Sequence, residues 1–526
     1  MVERDGEFDF VIVGAGSAGS VLAARLSEDD RARVVLLEAG TAREPLFARI
    51  PAAFSRLFRT SSDWAFETEP EAELARRRLF MPRGKLLGGS SAMNAMIYIR
   101  GNPADFDGWA ASGAEGWSYA DVLPFFVATE DQGRGALPGH GVGGPLRVED
   151  LRSPNALSHA FVAACAELGI ARNDDFNSGV QVGAGLYQVT QKNGARMSAA
   201  NAFLFPAMRR RNLSVLRGAH ALRVVFEGDR AVGVEYAQGS RRGLVRATTL
   251  VIAAAGAIGS PQLLLLSGVG PEAELARLGI EARVPLAGVG ENLQDHPVVP
   301  IYRLSTQPIT LKNAEGPMAL LEYLFRRRGP LTSNIAEAGA FLASPFSDAL
   351  PDIQYHFSPG LFQDHGFVRP SFHGYSVGAT LVAPKSRGRL RLRSSDPFDK
   401  PLISGNHLNH RDDREALTWG TQLARQLAGA DAFAAFRGDE YWPRSVPRTP
   451  AELLSYVRET AELLYHPCGT CRMGVDELAV VDPKLRVRGV RGLAVADASV
   501  MPVITRGNTH APTVMIAERL AHSLRS

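Results

Sequence analysis

His466 lies in Tyr465-His466-Pro467-Cys468-Gly469-Thr470, and Asn508 follows later in Gly507-Asn508-Thr509. A histidine accepts a proton near neutral pH, because the ordinary pKa of imidazole is about 6.5. An asparagine amide N–H donates to an oxygen that is gaining negative charge. The pair could therefore take the proton of a hydroxyl group and hold the developing alkoxide. Neither side chain accepts hydride, so an oxidation built on them needs a cofactor. The chain has 12 histidines, and any one taken alone reads as structural. His466 stands out through its motif and its pairing with Asn508; His510 is the reserve candidate for the base. His296 reads as structural.

A second signal sits at the N-terminus, where Asp9 to Gly40 runs DFVIVGAGSAGSVLAARLSEDDRARVVLLEAG. Phe10 to Val13 is an apolar run suited to a buried parallel strand. Gly14-Ala15-Gly16-Ser17-Ala18-Gly19 then fits G-x-G-x-x-G. An apolar helical stretch with Val21, Leu22 and Leu26 follows, and a second strand, Val34 to Leu37, ends in Glu38. In this order Gly14 makes the tight turn, Gly16 lets backbone approach a pyrophosphate, and Gly19 lets helix pack against strand. The helix N-terminus attracts phosphate, and Glu38 falls where an acid accepts from the adenosine ribose hydroxyls. The motif alone does not choose between FAD and NAD. Gly288-Val289-Gly290-Glu291-Asn292-Leu293 lacks the third glycine, so there is one complete fingerprint. A redox enzyme with one dinucleotide site most simply keeps its electrons on a bound flavin.

Composition sets the frame for these motifs. A chain of 526 residues, 45% apolar, has ample core and a length suited to roughly two to four domains. The net charge of +3 with mixed signs gives no reason to expect nucleic acid. Arg209-Arg210-Arg211 and Arg326-Arg327-Arg328 read as solvated turns. The start, MVERDGEFDF, lacks an apolar core of signal-peptide length, so a cytoplasmic setting is expected. Leu250 to Gly270 is apolar but interrupted by Gly256, Gly259, Pro261, Gln262 and Gly268, which argues against a membrane span. Cys468 and Cys471 form a CxxC with no second pair to complete a four-ligand zinc site, so no metal is expected.

Several separate stretches resemble the glucose–methanol–choline (GMC) oxidoreductases, and the resemblance runs from Asp9 to about Leu520. Pro82-Arg83-Gly84-Lys85-Leu86-Leu87-Gly88-Gly89-Ser90-Ser91-Ala92-Met93-Asn94 is similar to the first signature of that family, and Gly256 to Gly270 to the second. Asn292-Leu293-Gln294-Asp295-His296-Pro297 and the tail Val495 to Pro502 are further hallmarks. The resemblance implies an FAD held by Gly14, Gly16, Ser17, Ala18, Gly19, Glu38, Ala39, Arg83, Gly88, Gly89, Ser90, Met93, Asn94, Ala95, Met96, Ala221, Asp497, Ala498, Asn508 and Thr509. Some members carry a histidine just before the asparagine of the first signature and attach FAD covalently through it. Here that residue is Met93, which implies non-covalent FAD. Tyr187 to Gly194, Gly329 to Asn334 and Val480 to Gly489 are most similar to the choline dehydrogenase and bacterial alkanol dehydrogenase branch. His510 stands where many relatives have asparagine.

The expected fold class is α/β, α+β overall: a Rossmann-like FAD-binding domain of GMC type plus a substrate domain with an antiparallel sheet flanked by helices. The motif positions assign residues 1–155, 195–300 and 460–526 to the FAD-binding domain, and 156–194 and 301–459 to the substrate domain. Ile353, Tyr355 and Phe357 alternate on one face of an expected strand, and Arg389 to Arg393 alternates as well. Both are expected in a sheet with one covered and one wet face. The aromatic residues between Gly360 and Tyr375 fit a pocket loop or core anchors equally. Pro317 to Phe325 reads as a buried core helix, with a helix lying on the inner face of a membrane as the alternative.

The expected reaction is FAD-dependent oxidation of a primary alcohol to the aldehyde, with His466 and Asn508 catalytic and hydride passing to flavin N5. Electrons would go on to a quinone or another acceptor. An oxygen-using oxidase is the close alternative, and a flavin photoenzyme or lyase is the more distant one. Choline as substrate would need a cation site, for which Glu337 is the candidate acid. The alkanol-like stretches favour a medium-chain aliphatic or aromatic primary alcohol.

Overall fold

Two seven-stranded sheets organise the chain in the computed structural model, which describes residues 3–442 and 446–525. In the first sheet the strands run in the order Leu213–Arg217, Val34–Glu38, Glu3–Val13, Arg241–Ala253, Arg230–Gln238 and Ala219–Glu227. The first four are parallel to one another, as strands linked by crossovers must be. Arg241–Ala253 serves as the pivot. Its first half pairs antiparallel with Arg230–Gln238, while Val251–Ala253 pairs in parallel with Leu493–Val495. The helix Ser17–Leu26 follows the first strand and packs beside the C-terminal helix His510–Arg525.

The second sheet is antiparallel throughout, in the order Arg437–Tyr441, Pro297–Ser305, Gly374–Leu381, Ile353–Ser358, Ala338–Leu342 and Gly183–Leu186. The short strand Glu462–Leu463 also pairs with Pro297–Ser305. On one face, Tyr355 donates through its hydroxyl to the Gly420 carbonyl of helix Arg411–Ala428 at 3.0 Å. Phe357 stacks on Phe161 of helix Ala156–Glu167 with ring centroids 5.0 Å apart. The alternation of Ile353, Tyr355 and Phe357 is thus real.

The other face of that strand, however, is not wet. All six residues of Ile353–Ser358 are buried: His356 and Ser358 face an internal cavity, and Gln354 is bonded to Tyr187 and Asn508. The alternating arginine stretch also departs from expectation. Arg389–Arg391 forms a separate ribbon with Leu402–Ser404 and does not join the second sheet.

Helix Pro317–Arg326 is not a core helix. Only Ala319 and Tyr323 are buried, while Met318 and Phe325 are 74% and 83% exposed. Apolar content fixed the expectation, but one narrow seam, at i and i+4, is all that the helix packs inward. Among the described residues, no helix is long and apolar enough to cross a membrane.

Candidate active site

The glycine-rich turn explains itself sterically. Gly14 sits at φ +98°, and a Cβ on Gly19 would lie 1.8 Å from the Gly14 carbonyl oxygen. Only glycine allows the helix to start so close to the strand. A Cβ on Gly16, by contrast, would meet no protein atom within 4 Å; that residue borders open space. No side chain caps the N-terminus of helix Ser17–Leu26, so its first N–H groups are available to an anion. Glu38 closes the turn: its carboxylate accepts from the backbone N–H of Ala15 at 2.9 Å and of Gly40 at 2.7 Å. Burial pushes this carboxyl up to about 7, against those two hydrogen bonds.

One cavity runs from Gly14, Gly16 and Glu38 to His466 and Asn508. Of the residues expected at a cofactor, it is lined by Ser17, Ala18, Ala39, Arg83, Gly89, Ser90, Met93, Asn94, Ala95, Met96, Ala221, Asp497, Ala498 and Thr509 as well. Gly19 and Gly88 do not line it. Gly19 is the packing contact just described, and Gly88, at φ +93°, turns the chain against Ala92, Ser198 and Ala200. Several polar members are committed within the protein. Asp497 accepts from Gly256 N–H, Ser260 Oγ and Ser499 N–H. The Asn94 side-chain oxygen accepts from Arg196 at 2.7 Å. Arg83 donates to the Tyr465 carbonyl at 2.7 Å, directly before the candidate base.

The segment carrying His466 is clamped by the Asn292–Pro297 motif. Leu464 N–H donates to the His296 carbonyl, and Cys468 N–H to the Gln294 carbonyl, both at 3.0 Å. Asp295 Oδ1 accepts from the backbone N–H of both His296 and His466 at 2.7 Å. Tyr465 is held at φ +65°, a conformation that a bulky residue keeps only when its surroundings impose it. The His466 ring then lies between two partners. Its Nδ1 is 3.0 Å from His296 Nδ1, and its Nε2 is 3.2 Å from Asn508 Nδ2. Asn508 Oδ1 accepts from Gln354 Nε2 at 3.4 Å, which turns the amide N–H groups toward His466.

These contacts assign the tautomer of His466. The amide of Asn508 donates to Nε2, so Nε2 carries the lone pair and Nδ1 carries the proton, which it donates to His296. Burial, followed by the nearby rings of His296 and His356 and the Arg83 guanidinium, holds the His466 pKa well below 6.5. The ring is therefore a neutral base. His510 points elsewhere: its Nδ1 lies 3.0 Å from Ser17 Oγ at the glycine turn, and burial brings its pKa down to about 4.

The composition of the remaining wall brings corrections. Glu337 does not reach the cavity. It accepts from Asn155 N–H and Ser158 Oγ, both at 2.7 Å, and from Ser333 Oγ at 2.6 Å, and is 1% exposed. The acid on the wall is Glu462, which burial pushes up to about 7. Val298, its direct cross-strand partner, also lines the wall, as do Phe54, Phe58, Ile335, Phe362 and Tyr465. In the 360–375 stretch, Phe362 faces the cavity, Tyr375 is core, and Phe367 and Phe372 are partly exposed. Cys468 and Cys471 are buried free thiols whose pKa values burial raises.

His296 and Gln354 are the partners of His466 and Asn508 that the sequence alone does not place there. The first sat in a recognised motif but was read as structural. The second could have been found from the alternation that sends Ile353, Tyr355 and Phe357 to the opposite face.

A glycine turn opening into a cavity that ends on a neutral histidine and an amide defines a dinucleotide-dependent oxidoreductase. The chain belongs to the GMC oxidoreductase family, whose models match residues 8–298 and 384–517. It is 46% identical to an uncharacterized GMC-type oxidoreductase of Mycobacterium tuberculosis, over 99% of this chain and 100% of that one. It is 44% identical to an oxygen-dependent choline dehydrogenase of Brucella ovis, over 98% and 94%. Among solved structures it is similar to pyridoxine 4-oxidase from Mesorbium loti, with a TM-score of 0.90 and 34% identity over 98% of this chain and 99% of that one. Formate oxidase of Aspergillus oryzae superposes with a TM-score of 0.94 at 27% identity, over 100% and 99%. The protein is an FAD-dependent oxidoreductase acting on CH–OH donors. The open space beside Gly16, the uncapped helix end and the cavity's reach to His466 fit that cofactor.

Proposed function

We propose that this enzyme oxidises an uncharged primary alcohol, medium-chain aliphatic or aromatic, to the aldehyde. The observation that carries the reading is the pairing of His466 Nε2 with Asn508 Nδ2 at 3.2 Å in the same cavity as the glycine turn. When the alcohol binds, its hydroxyl replaces the Asn508 N–H at His466 Nε2, which takes the hydroxyl proton, and the N–H so released donates to the alkoxide oxygen as charge develops. His296 and Asp295 hold the ring in the required orientation, and Gln354 holds the amide. Bound FAD supplies the hydride acceptor, its N5. With Met93 at the position of the family's attachment histidine, FAD is held without a covalent link.

The apolar wall around Val298, Ile335 and Phe362 supports an uncharged substrate, as does the loss of Glu337 as a cation site. Electrons then pass to a quinone or another carrier. The two oxidases named among the similar structures support oxygen as the alternative acceptor. The test is anaerobic mixing of the purified yellow protein with alkanols, benzyl alcohol and choline, followed by air. Bleaching by an alkanol or benzyl alcohol supports the proposal. Bleaching by choline alone transfers the specificity to Glu462 and refutes the uncharged substrate. Slow return of colour in air supports a carrier, and fast return with peroxide supports oxygen.

A further inference from the structure

The exposed face of helix Pro317–Arg326 is continuous and apolar. Drawn at about 3.6 residues per turn, Leu320, Leu324, Pro317, Leu321, Phe325 and Met318 follow one another around it. Each of the five large ones is 46% exposed or more. A helix on a protein surface ordinarily turns polar residues to water; here Glu322 and Arg326 stand only at one edge of the apolar arc. The helix ends in Arg326-Arg327-Arg328, with Arg326 and Arg328 exposed, and exposed Lys312 lies just before it. Arg327 lies over the ring of Tyr323, 4.8 Å from its centroid, at the root of the helix. Arg326, Arg328 and Lys312 thus border the face, against Glu322 and the exposed Asp364 of the neighbouring 364–372 loop.

A second cavity opens at the turn that leads into the helix. Leu311, Lys312 and Ala314 line it, together with Val368 and Phe372 of the partly exposed 364–372 loop. Ile335, Ser358 and Phe362 line both this cavity and the main one. The second cavity therefore adjoins the main one across these three residues, and its outer side lies near the apolar face and its basic border.

We propose that this helix docks the enzyme on an anionic lipid bilayer, with the mouth of the second cavity against the lipid. Apolar alcohols dissolved in the bilayer then enter without crossing water, a consequence that rests on the alcohol-oxidising reading above. Charge selects this occupant. An anionic surface takes Arg326, Arg328 and Lys312 at once as the apolar face enters it.

The test is flotation of the FAD-loaded full chain with vesicles of phosphatidylcholine alone or mixed with phosphatidylglycerol. The protein is expected to float with the anionic vesicles, less so at high salt. Arg326→Ser and Arg328→Ser should each weaken partitioning about fivefold, and Leu321→Glu with Phe325→Glu should abolish it. All these variants should keep bound FAD and its reduction by a water-soluble alcohol, which separates failed docking from failed catalysis. Wild type that stays with the soluble fraction at low salt overturns the proposal. So does a concentration-dependent dimer that the Leu321→Glu/Phe325→Glu variant dissolves, which assigns the face to a second copy.

Discussion

His296→Leu tests how the base is prepared. His296 is fully buried, and its Nδ1 lies 3.0 Å from the Nδ1 of His466. In the assigned tautomer that contact takes the only proton on the His466 ring. Leucine fills much of the same space but accepts nothing, so a buried N–H loses its partner. Leaving such a group unmade costs about 1–3 kcal/mol. If instead the proton moves to Nε2 to escape that cost, the ring no longer offers a lone pair to substrate. Either way the reactive form is depleted, and at about 1.4 kcal/mol per factor of ten the expected loss is about 5- to 150-fold. Stopped-flow measurement of the anaerobic reduction of FAD by a saturating alcohol reads this directly. FAD content and KM should change little, because His296 acts through His466 as a positioning residue. His296→Asn returns an amide oxygen near the position of Nδ1 and should recover much of the rate. Reduction of the leucine variant within about twofold of wild type would refute the tautomer assignment and the role given to His296.

The glycine turn makes a paired prediction. Gly19→Ala places a Cβ 1.8 Å from a carbonyl oxygen and should lower both the melting temperature and the flavin-to-protein absorbance ratio. Gly16→Ala meets no protein atom and should lower flavin retention alone. Glu337→Ala leaves Ser158, Ser333 and the Asn155 N–H without their acceptor, which should cost about 1–3 kcal/mol in denaturant unfolding; the ratio of choline to alkanol activity should not move. His140 is hydrogen-bonded to Asp175 at 2.8 Å and to Glu130 at 3.0 Å, which raises its pKa to about 9. A folded pKa above the unfolded value of about 6.5 stabilises fully below that value and is lost as pH rises through about 9. The melting temperatures of wild type and His140→Phe should therefore converge as the buffer passes from about 6 to beyond 9.

Motifs whose task is local could be understood from the chain alone. The G-x-G-x-x-G turn and Glu38 need only their own strand and helix, and they come together as expected. Tertiary tasks were less visible. Asn292–Pro297 was recognisable as a motif, yet its work is to clamp a segment some 170 positions away, which spacing cannot reveal. Gln354 reaches Asn508 across 154 positions of chain, a contact that spacing does not announce. The apolar run Pro317–Phe325 showed that a helix would form but not which side would be covered, since all of its faces but one edge are apolar. Glu337 looked available because an acid in sequence carries no sign of the hydroxyls and amide that enclose it. The lowered pKa of His466 likewise comes first from burial and then from His296, His356 and Arg83, residues that the fold brings in from distant segments.

The central claim is that His466 takes the hydroxyl proton. The measurement that tests it most directly is the anaerobic reduction rate of FAD-loaded His466→Ala, beside wild type, across pH with the best alcohol of the panel. Loss of a general base predicts a fall of about 100- to 10,000-fold with FAD still bound. Because burial above all keeps His466 neutral, the wild-type rate should persist as pH falls through 6.5. A variant that reduces FAD at near the wild-type rate would contradict the account and move the proton to another group on the cavity wall.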